Sequence, residues 1–310
     1  GLFLPKISLG LWQNFGDSAD YDEMKDIVLT AFDMGITHFD LANNYGPKAG
    51  SAEVNFGKIV RENLMPYRDE LVISTKAGYR MWSGPYGIGG SRKYLTSSLD
   101  QSLKRMGLDY VDIFYHHCMT PDTPLEETAL ALADITRRGK ALYVGISNYN
   151  GKKMHKMHHR CEDFDVPFII NQNRYSILDR TVEKNDLKKE AKSKKKGLIA
   201  FSPLAQGQLT DKCANGIPEN SRLYENRVLW EKVGYNEARQ LQITQLYNIA
   251  KKREQTLSQL AIQWLLQYGE VTSVLIGVHS KAQLVENLKA LECEPLTKAE
   301  ILQINAIAGK

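Results

Sequence analysis

The sequence predicts a single-domain α/β protein, a (β/α)8 barrel running through residues 1–310, and three observations carry that expectation. Eight short apolar runs each lead towards a longer segment of helical periodicity, the pattern of βαβ units and a parallel sheet. The runs are rich in Val, Ile, Leu and Phe without strict alternation, as strands covered on both faces must be. No Pro/Ser-rich linker divides the chain, and eight such units in 310 residues suit a closed barrel better than an open sheet.

The strand runs are 6–9 (KISL), 37–41 (THFDL), 71–75 (LVIST), 110–115 (YVDIFY), 142–146 (LYVGI), 168–171 (FIIN), 198–201 (LIAF) and 273–276 (SVLI). Helices are expected at 21–34, 94–106, 125–138, 183–194 and 258–267, and an amphipathic segment at 298–307 closes the chain. The longest interruption, 209–236, falls between the seventh strand and its helix. Loops longer than about 15 residues are usually functional or mobile, so a lid is expected there. The loop 81–91 (MWSGPYGIGGS) is glycine-rich. It lacks the Lys-Ser/Thr ending of a phosphate-binding loop and the strand–turn–helix setting of a dinucleotide fingerprint, and so reads as a flexible loop.

Composition narrows the function classes. The chain is 25% charged and 43% hydrophobic with a net charge of +4, too apolar for disorder and too mildly basic to suggest nucleic acid or a membrane surface as a partner. The densest basic run, 192–196 (KSKKK), suits a solvated helix end. No stretch approaches the roughly 20 apolar residues of a membrane span, and no secretory signal opens the chain. Cys118, Cys161, Cys213 and Cys293 lie far apart without paired metal spacing, so reduced thiols and a cytoplasmic address are expected. The chain opens on Gly1 and an apolar segment instead of a methionine, and further residues are expected before it.

A barrel enzyme carries its chemistry at the C-terminal ends of its strands. Those ends present Trp12, then Asp40 with Asn43, Asn44 and Tyr45, then Lys76, then His116 and His117. Ser147 with Asn148, Gln172 with Asn173, Ser202 and the turn 277–281 follow. Asp, Tyr, Lys and His converging on one face make a coherent acid catalyst. A tyrosine is a poor proton donor near neutrality. A neighbouring ammonium favours phenolate, so Lys76 is expected to lower the Tyr45 pKa, with Asp40 holding Lys76 charged. A histidine across the pocket would orient a carbonyl oxygen as an alkoxide develops. Plainer readings exist: Asp40 and Lys76 as a structural ion pair, Tyr45 as a rim aromatic. Of the adjacent His116 and His117, at most one enters the pocket, because neighbours on a strand point to opposite faces.

The motifs DLANNYG (40–46), ISTKAG (73–78), GISNY (145–149), AFSPLAQG (200–207) and QLVENL (283–288) occur in that order. With them the sequence resembles the aldo-keto reductases over essentially its whole length. The WSGPYG loop, SRKYL and YVDIFYHH are most similar to the bacterial L-glyceraldehyde-3-phosphate reductase branch, kin to the β subunits of voltage-gated potassium channels. The resemblance implies a (β/α)8 barrel and an NADPH-dependent reduction of small aldehydes, with glyceraldehyde 3-phosphate and methylglyoxal among the candidates. It implies a catalytic tetrad of Asp40, Tyr45, Lys76 and His117, with Tyr45 as general acid. It places Ser147, Asn148 and Gln172 on the nicotinamide carboxamide and Phe201 on its ring. Ser202, Leu204, Gln206 and Gly207 fall on the pyrophosphate loop, and Gln283, Glu286 and Asn287 at the adenosine site. NADP(H) bound this way needs no GxGxxG. The resemblance also implies a homo-oligomer, a tetramer or octamer.

The sequence departs from the family where an arginine often accompanies Ser or Lys-Ser. Here stand His279, Ser280 and Lys281, which leaves Lys281 to meet the 2′-phosphate as a point charge. Cys118 replaces a frequent arginine. Trp12, Tyr79 and Trp82 are candidates for an apolar carbonyl pocket or for packing at the barrel mouth. Arg80 and Arg92 are candidates for a substrate phosphate or solvated loop residues. Two rival readings exist. A metal hydrolase draws on His155, His158 and His159 at helical spacing, but this cluster lacks the convergent ligands and open position of catalytic zinc. A cofactor-binding regulatory subunit with slow turnover is the second. His117, which some relatives of that branch have lost, argues against it.

Overall fold

In a computed structural model, residues 1–219, 221, 224 and 234–309 are described. Eight parallel strands close into one barrel in sequence order, β1 (Ile7–Gly10), β2 (His38–Asp40), β3 (Val72–Ala77), β4 (Val111–His116), β5 (Ala141–Ser147), β6 (Phe168–Arg174), β7 (Gly197–Phe201) and β8 (Ser273–Ile276), with β8 returning to β1. All eight expected strands are present. The helices are α1 (Tyr21–Asp33), α2 (Ser51–Ile59), α3 (Arg92–Met106), α4 (Leu125–Arg137), α5 (Gly151–Asp163), α6 (Thr181–Lys184), α7 (Leu187–Ser193), α8 (Glu237–Lys252), α9 (Leu257–Leu266), α10 (Lys281–Leu288) and α11 (Lys298–Ile307).

Side chains alternate across each strand. The outward set, including Leu9, Phe39, Ile73, Phe114, Ile146 and Val274, joins the helices in one large apolar layer. The inward set is smaller: Val72, Ile113, Tyr115, Ile170, Ile199 and Leu275, with Leu2 and Leu4 packed against it. Tyr115 fits inside because position 145 is glycine. A Cβ there would overlap its ring.

Helix boundaries follow their caps. Asp20 accepts from the Glu23 amide at 2.9 Å to open α1, and Ser91 accepts from Tyr94 at 3.3 Å to open α3. Gly107, at φ 67°, ends α3. The single helix expected at 183–194 is two. The break at Asn185 and Asp186 packs on the start of α5, where the Gly151 amide donates to Asn185 O at 3.0 Å, and Asp186 sits at φ 61°. Of the interruption 209–236, residues 209–219, 221, 224 and 234–236 are described, with a 3-10 turn at Asp211–Cys213, and the rest of the expected lid lies outside the described residues.

Candidate active site

Strand period places the chemistry. His38 and Asp40 share the inward face of β2, Ser74 and Lys76 that of β3. On β4, Tyr115 points in and His116 out, and His117 at the strand's end comes in again. The ladder continues through it, His117 N donating to Ala77 O at 2.9 Å. Tyr45 arrives from the β2 loop, which is pinned by Asn43 N donating to Lys76 O at 2.9 Å and Tyr45 N to Ala42 O at 3.0 Å.

Lys76 is fully buried. Its ammonium is ion-paired with Asp40 and donates to Leu41 O at 2.8 Å and to the Tyr45 hydroxyl at 3.3 Å. The other oxygen of Asp40 accepts from Ser74 Oγ at 2.6 Å and from Gln172 Nε2 at 3.1 Å. Burial pulls the Lys76 pKa down, opposed by Asp40. Tyr45 departs from expectation, since its pKa lies well above the ordinary value. Burial dominates, and the negative charge of Asp40 adds to it, so the charge of Lys76 is largely spent on its own partner. The resting phenol is therefore firmly protonated, which is the state a donor must hold.

His117 lies across the pocket, its ring 6.0 Å from that of Tyr45 and 4.6 Å from that of Tyr79. Burial, then the Lys76 charge, depresses its pKa well below 6.5, so it is a neutral imidazole able to donate one N–H. His116 faces outward, its Nδ1 2.6 Å from the Tyr149 hydroxyl, and a Cβ at Gly90 would crowd its Nε2. Burial lowers its pKa to about 4.

Four residues unmarked by sequence reasoning support Asp40 from below. Ser273 Oγ and Ser8 Oγ lie 2.6 Å apart, Ser8 Oγ is 2.8 Å from His38 Nδ1, and His38 Nε2 is 3.0 Å from Ser74 Oγ. His38 is neutral, burial having lowered its pKa to about 4. The signal was available in the period-two spacing of His38 with Asp40 and of Ser74 with Lys76.

The tetrad opens into a cavity of about 620 Å³, within the range of small-molecule sites. Its wall includes Trp12, Tyr79, Asn148, Gln172, Phe201, Ser202, Leu204, Gln206, Gly207 and Gln283. Ser147 is buried beside it, its Oγ 3.2 Å from Asn148 Nδ2. Trp82 lies outside the wall, packed on Tyr94 with ring centroids 5.2 Å apart. Arg80 is exposed away from the wall, and Arg92 is ion-paired with Asp134 at a separate cleft between α3 and α4. Glu286 accepts from Gln259 Nε2 at 2.8 Å, and Lys281 pairs with Asp26 at 3.2 Å on the surface. His155 pairs with Glu190 and His159 with Glu162, on the flank of α5. Among the described residues no group of three His, Cys, Asp or Glu is arranged to hold a metal ion, and all four cysteines are free thiols.

Local backbone geometry suits a phosphate-bearing cofactor. Ser202, Ala205, Gln206 and Gly207 hold φ of 53°, 49°, 61° and 94°, a left-handed run that can turn backbone N–H groups to a common point. Nothing lies within 4 Å of a Cβ built on Gly207, so the loop is open to close approach. Asn287 Nδ2 is buried without an acceptor among the described residues, as a donor awaiting a ligand would be. The residues fit.

Comparisons with known proteins agree with this geometry. The aldo/keto reductase family matches residues 6–308. The chain is 52% identical over 309 residues to the L-glyceraldehyde 3-phosphate reductase of Escherichia coli K12, covering 98% of this chain and 89% of that one. It is 34% identical over 312 residues to a putative voltage-gated potassium channel subunit beta of Schizosaccharomyces pombe, covering 98% and 89%. A crystal structure of a thermostable aldo-keto reductase in complex with the inhibitor epalrestat superposes with a TM-score of 0.75 at 28% identity, covering 98% and 95%. The chain is thus a (β/α)8-barrel oxidoreductase that belongs to the aldo/keto reductase family.

Proposed function

We propose that this protein reduces the carbonyl of small aldehydes with NADPH, glyceraldehyde 3-phosphate and methylglyoxal being candidate substrates. One observation carries the proposal: a buried ammonium fixed by Asp40 reaches the Tyr45 hydroxyl at 3.3 Å, with His117 across the same cavity. NADPH, the family's usual cofactor, supplies a hydride to the carbonyl carbon when bound. Tyr45 gives its proton to the carbonyl oxygen, so the aldehyde leaves as an alcohol and Tyr45 as a phenolate that regains a proton from solvent. Lys76 acts at that moment. Its N–H stabilises the phenolate and offsets the burial that otherwise disfavours it. His117, a buried neutral imidazole packed against Tyr79, donates to the carbonyl oxygen and fixes its direction, as a preorganised donor does.

The cofactor's nicotinamide end is assigned to Ser147, Asn148, Gln172 and Phe201, its pyrophosphate to Ser202, Leu204, Gln206 and Gly207, and its adenosine to Gln283, Glu286 and Asn287. Lys281 is assigned to the 2′-phosphate, since an exposed ion pair such as that with Asp26 contributes little and exchanges readily. Trp12 and Tyr79 take the substrate side, with Trp82 as support through Tyr94. Four free thiols suit a reducing compartment, the cytoplasm, and among the described residues no helix is long and apolar enough to cross a membrane. The family resemblance adds a homo-oligomer, tetramer or octamer, which light scattering checks. The function itself is tested by NADPH oxidation with glyceraldehyde 3-phosphate, glyceraldehyde and methylglyoxal. Turnover on at least one is expected. Firm NADPH binding with no turnover on any would replace this reading with a regulatory subunit.

A further inference from the structure

The cavity holds a charge that the tetrad does not use. Along β6, Ile170 and Gln172 point inward, while Asn173 points out, its Nδ2 donating to Tyr149 O at 3.2 Å and to Asn171 Oδ1 at 2.8 Å. The next residue, Arg174, turns back to the mouth in register with Phe201 and joins the cavity wall beside Tyr79, His117 and Asn148. Other arginines of this chain are held by carboxylates: Arg68 by Asp112, Arg105 by Glu53, Arg180 by Glu183 and Arg253 by Glu300. The Arg174 guanidinium has no ion pair and no hydrogen bond among the described residues. Among the described residues the one carboxylate on the wall, Asp40, is already taken by Lys76, Ser74 and Gln172. Among the described residues the wall therefore carries one uncompensated positive charge.

We propose that Arg174 is the anion-reading residue of this pocket, its guanidinium receiving the phosphate or carboxylate of an acidic carbonyl substrate; this rests on the reductase reading above. A planar fork of N–H donors is suited to bidentate capture of such oxyanions. The charge reaches a residue assigned to the substrate side. It acts on Tyr79, whose phenol it favours in the ionised form against the larger effect of burial, and Tyr79 packs edge-on against His117. The loop Ser202–Gly207, assigned to the cofactor's phosphates, has no charged side chain of its own, so that cofactor phosphates are the second source of anion to be tested. Arg80 and Arg92, the arginines singled out by sequence, do not line the cavity.

The test compares glyceraldehyde 3-phosphate with glyceraldehyde, which differ only by the phosphate, in the unmodified protein, Arg174→Ala and Arg174→Lys. The ratio of the two kcat/KM values is expected to fall about 10- to 100-fold in Arg174→Ala, the loss of one charge-assisted contact, and to recover in part in Arg174→Lys. Calorimetry reads glycerol 3-phosphate and NADPH separately. Glycerol 3-phosphate is expected to weaken by a similar factor, and NADPH to hold within about threefold, less than half a tenfold step in free energy. An unchanged ratio overturns the proposal. So does a loss of NADPH affinity as large as that of glycerol 3-phosphate, which would give the guanidinium to the cofactor. If the unmodified protein reduces no aldehyde, the reductase reading fails, and the glycerol 3-phosphate titration still decides the anion site.

Discussion

At the tetrad end of the cavity the charged groups are fixed from inside the barrel wall, whereas at the start of α10 the charged pair stands in water and can exchange its contact. Lys76 and Asp40 are fully buried, and each has further partners, Leu41 O and the Tyr45 hydroxyl for Lys76, Ser74 and Gln172 for Asp40. The side chains of Lys281 and Asp26 are 55% and 54% exposed and hold one contact at 3.2 Å. The difference separates two jobs. Proton transfer needs groups whose orientation costs nothing at the moment of reaction, and strands pointing side chains into a closed barrel provide that. Recognition of a cofactor's far end needs affinity that can be tuned, and surface charges provide that at a smaller energy.

The largest expected effect breaks the buried end. Lys76→Met should lower turnover by about 10²–10⁴-fold, the usual contribution of general acid catalysis, and leaves Asp40 as a buried charge without its counterion, a loss of about 3–5 kcal/mol. Chemical denaturation of Lys76→Met beside Asp40→Asn/Lys76→Met separates the two consequences. The double variant should recover stability without recovering turnover. Recovery of both would show that the pair is structural only.

The two adjacent histidines sharpen the comparison across a single wall. His117→Ala should cost about 10²-fold or more in turnover with little change in melting temperature. His116→Ala should reverse that pattern, because its ring packs between β4 and Tyr149 and reaches no reacting atom. The opposite result would mean that the assignment of inward and outward faces on β4 is wrong.

Buried neutral imidazoles also make a pH prediction. His38 and His116 titrate near 4 when folded and near 6.5 when unfolded. Between those values the unfolded chain binds protons that the native one does not, so stability rises with pH. Unfolding free energy should therefore fall by about 1.4 kcal/mol per pH unit for each histidine as pH drops from 6.5 towards 4. In His116→Asn that slope should be shallower by one residue's share, and an unchanged slope would place the proton elsewhere.

The smallest effect belongs to the exposed end. A charge-assisted contact contributes roughly 1.5–3 kcal/mol. NADPH should thus be preferred over NADH by at least about tenfold at low salt, with the gap narrowing as salt screens the contact. Lys281→Ala should weaken NADPH and spare NADH in fluorescence titrations. Equal weakening of both would mean that Lys281 does not read the 2′-phosphate.

The barrel was legible because each of its strands has a short core rich in Val, Ile, Leu, Phe or Ala, with its polar residues gathered mostly towards one end, and eight such runs alternate with helical segments. The tetrad was legible because its members stand at or just beyond strand ends. Three things were hidden for physical reasons. The chain Ser8, His38, Ser74 and Ser273 consists of small polar residues scattered over four strands, and only closure of the sheet brings them together. The direction of the Tyr45 shift depends on burial outweighing one ammonium, a contest of magnitudes invisible in residue types. Arg174 stands two residues after Gln172, which is read as a cofactor contact, and its lack of a counterion is a property of the folded wall. The break between α6 and α7 was missed because a helical pattern continues across Asn185 and Asp186 while their backbone packs on Gly151.

The central claim is that Tyr45 is the proton donor, and Tyr45→Phe tests it most directly because the ring stays and only the hydroxyl is lost. NADPH affinity and aldehyde reduction are measured on the same preparation. The dissociation constant should stay within about twofold, well under one tenfold step, while kcat falls by at least about 10²–10⁴-fold. Near-normal turnover in Tyr45→Phe would contradict the account.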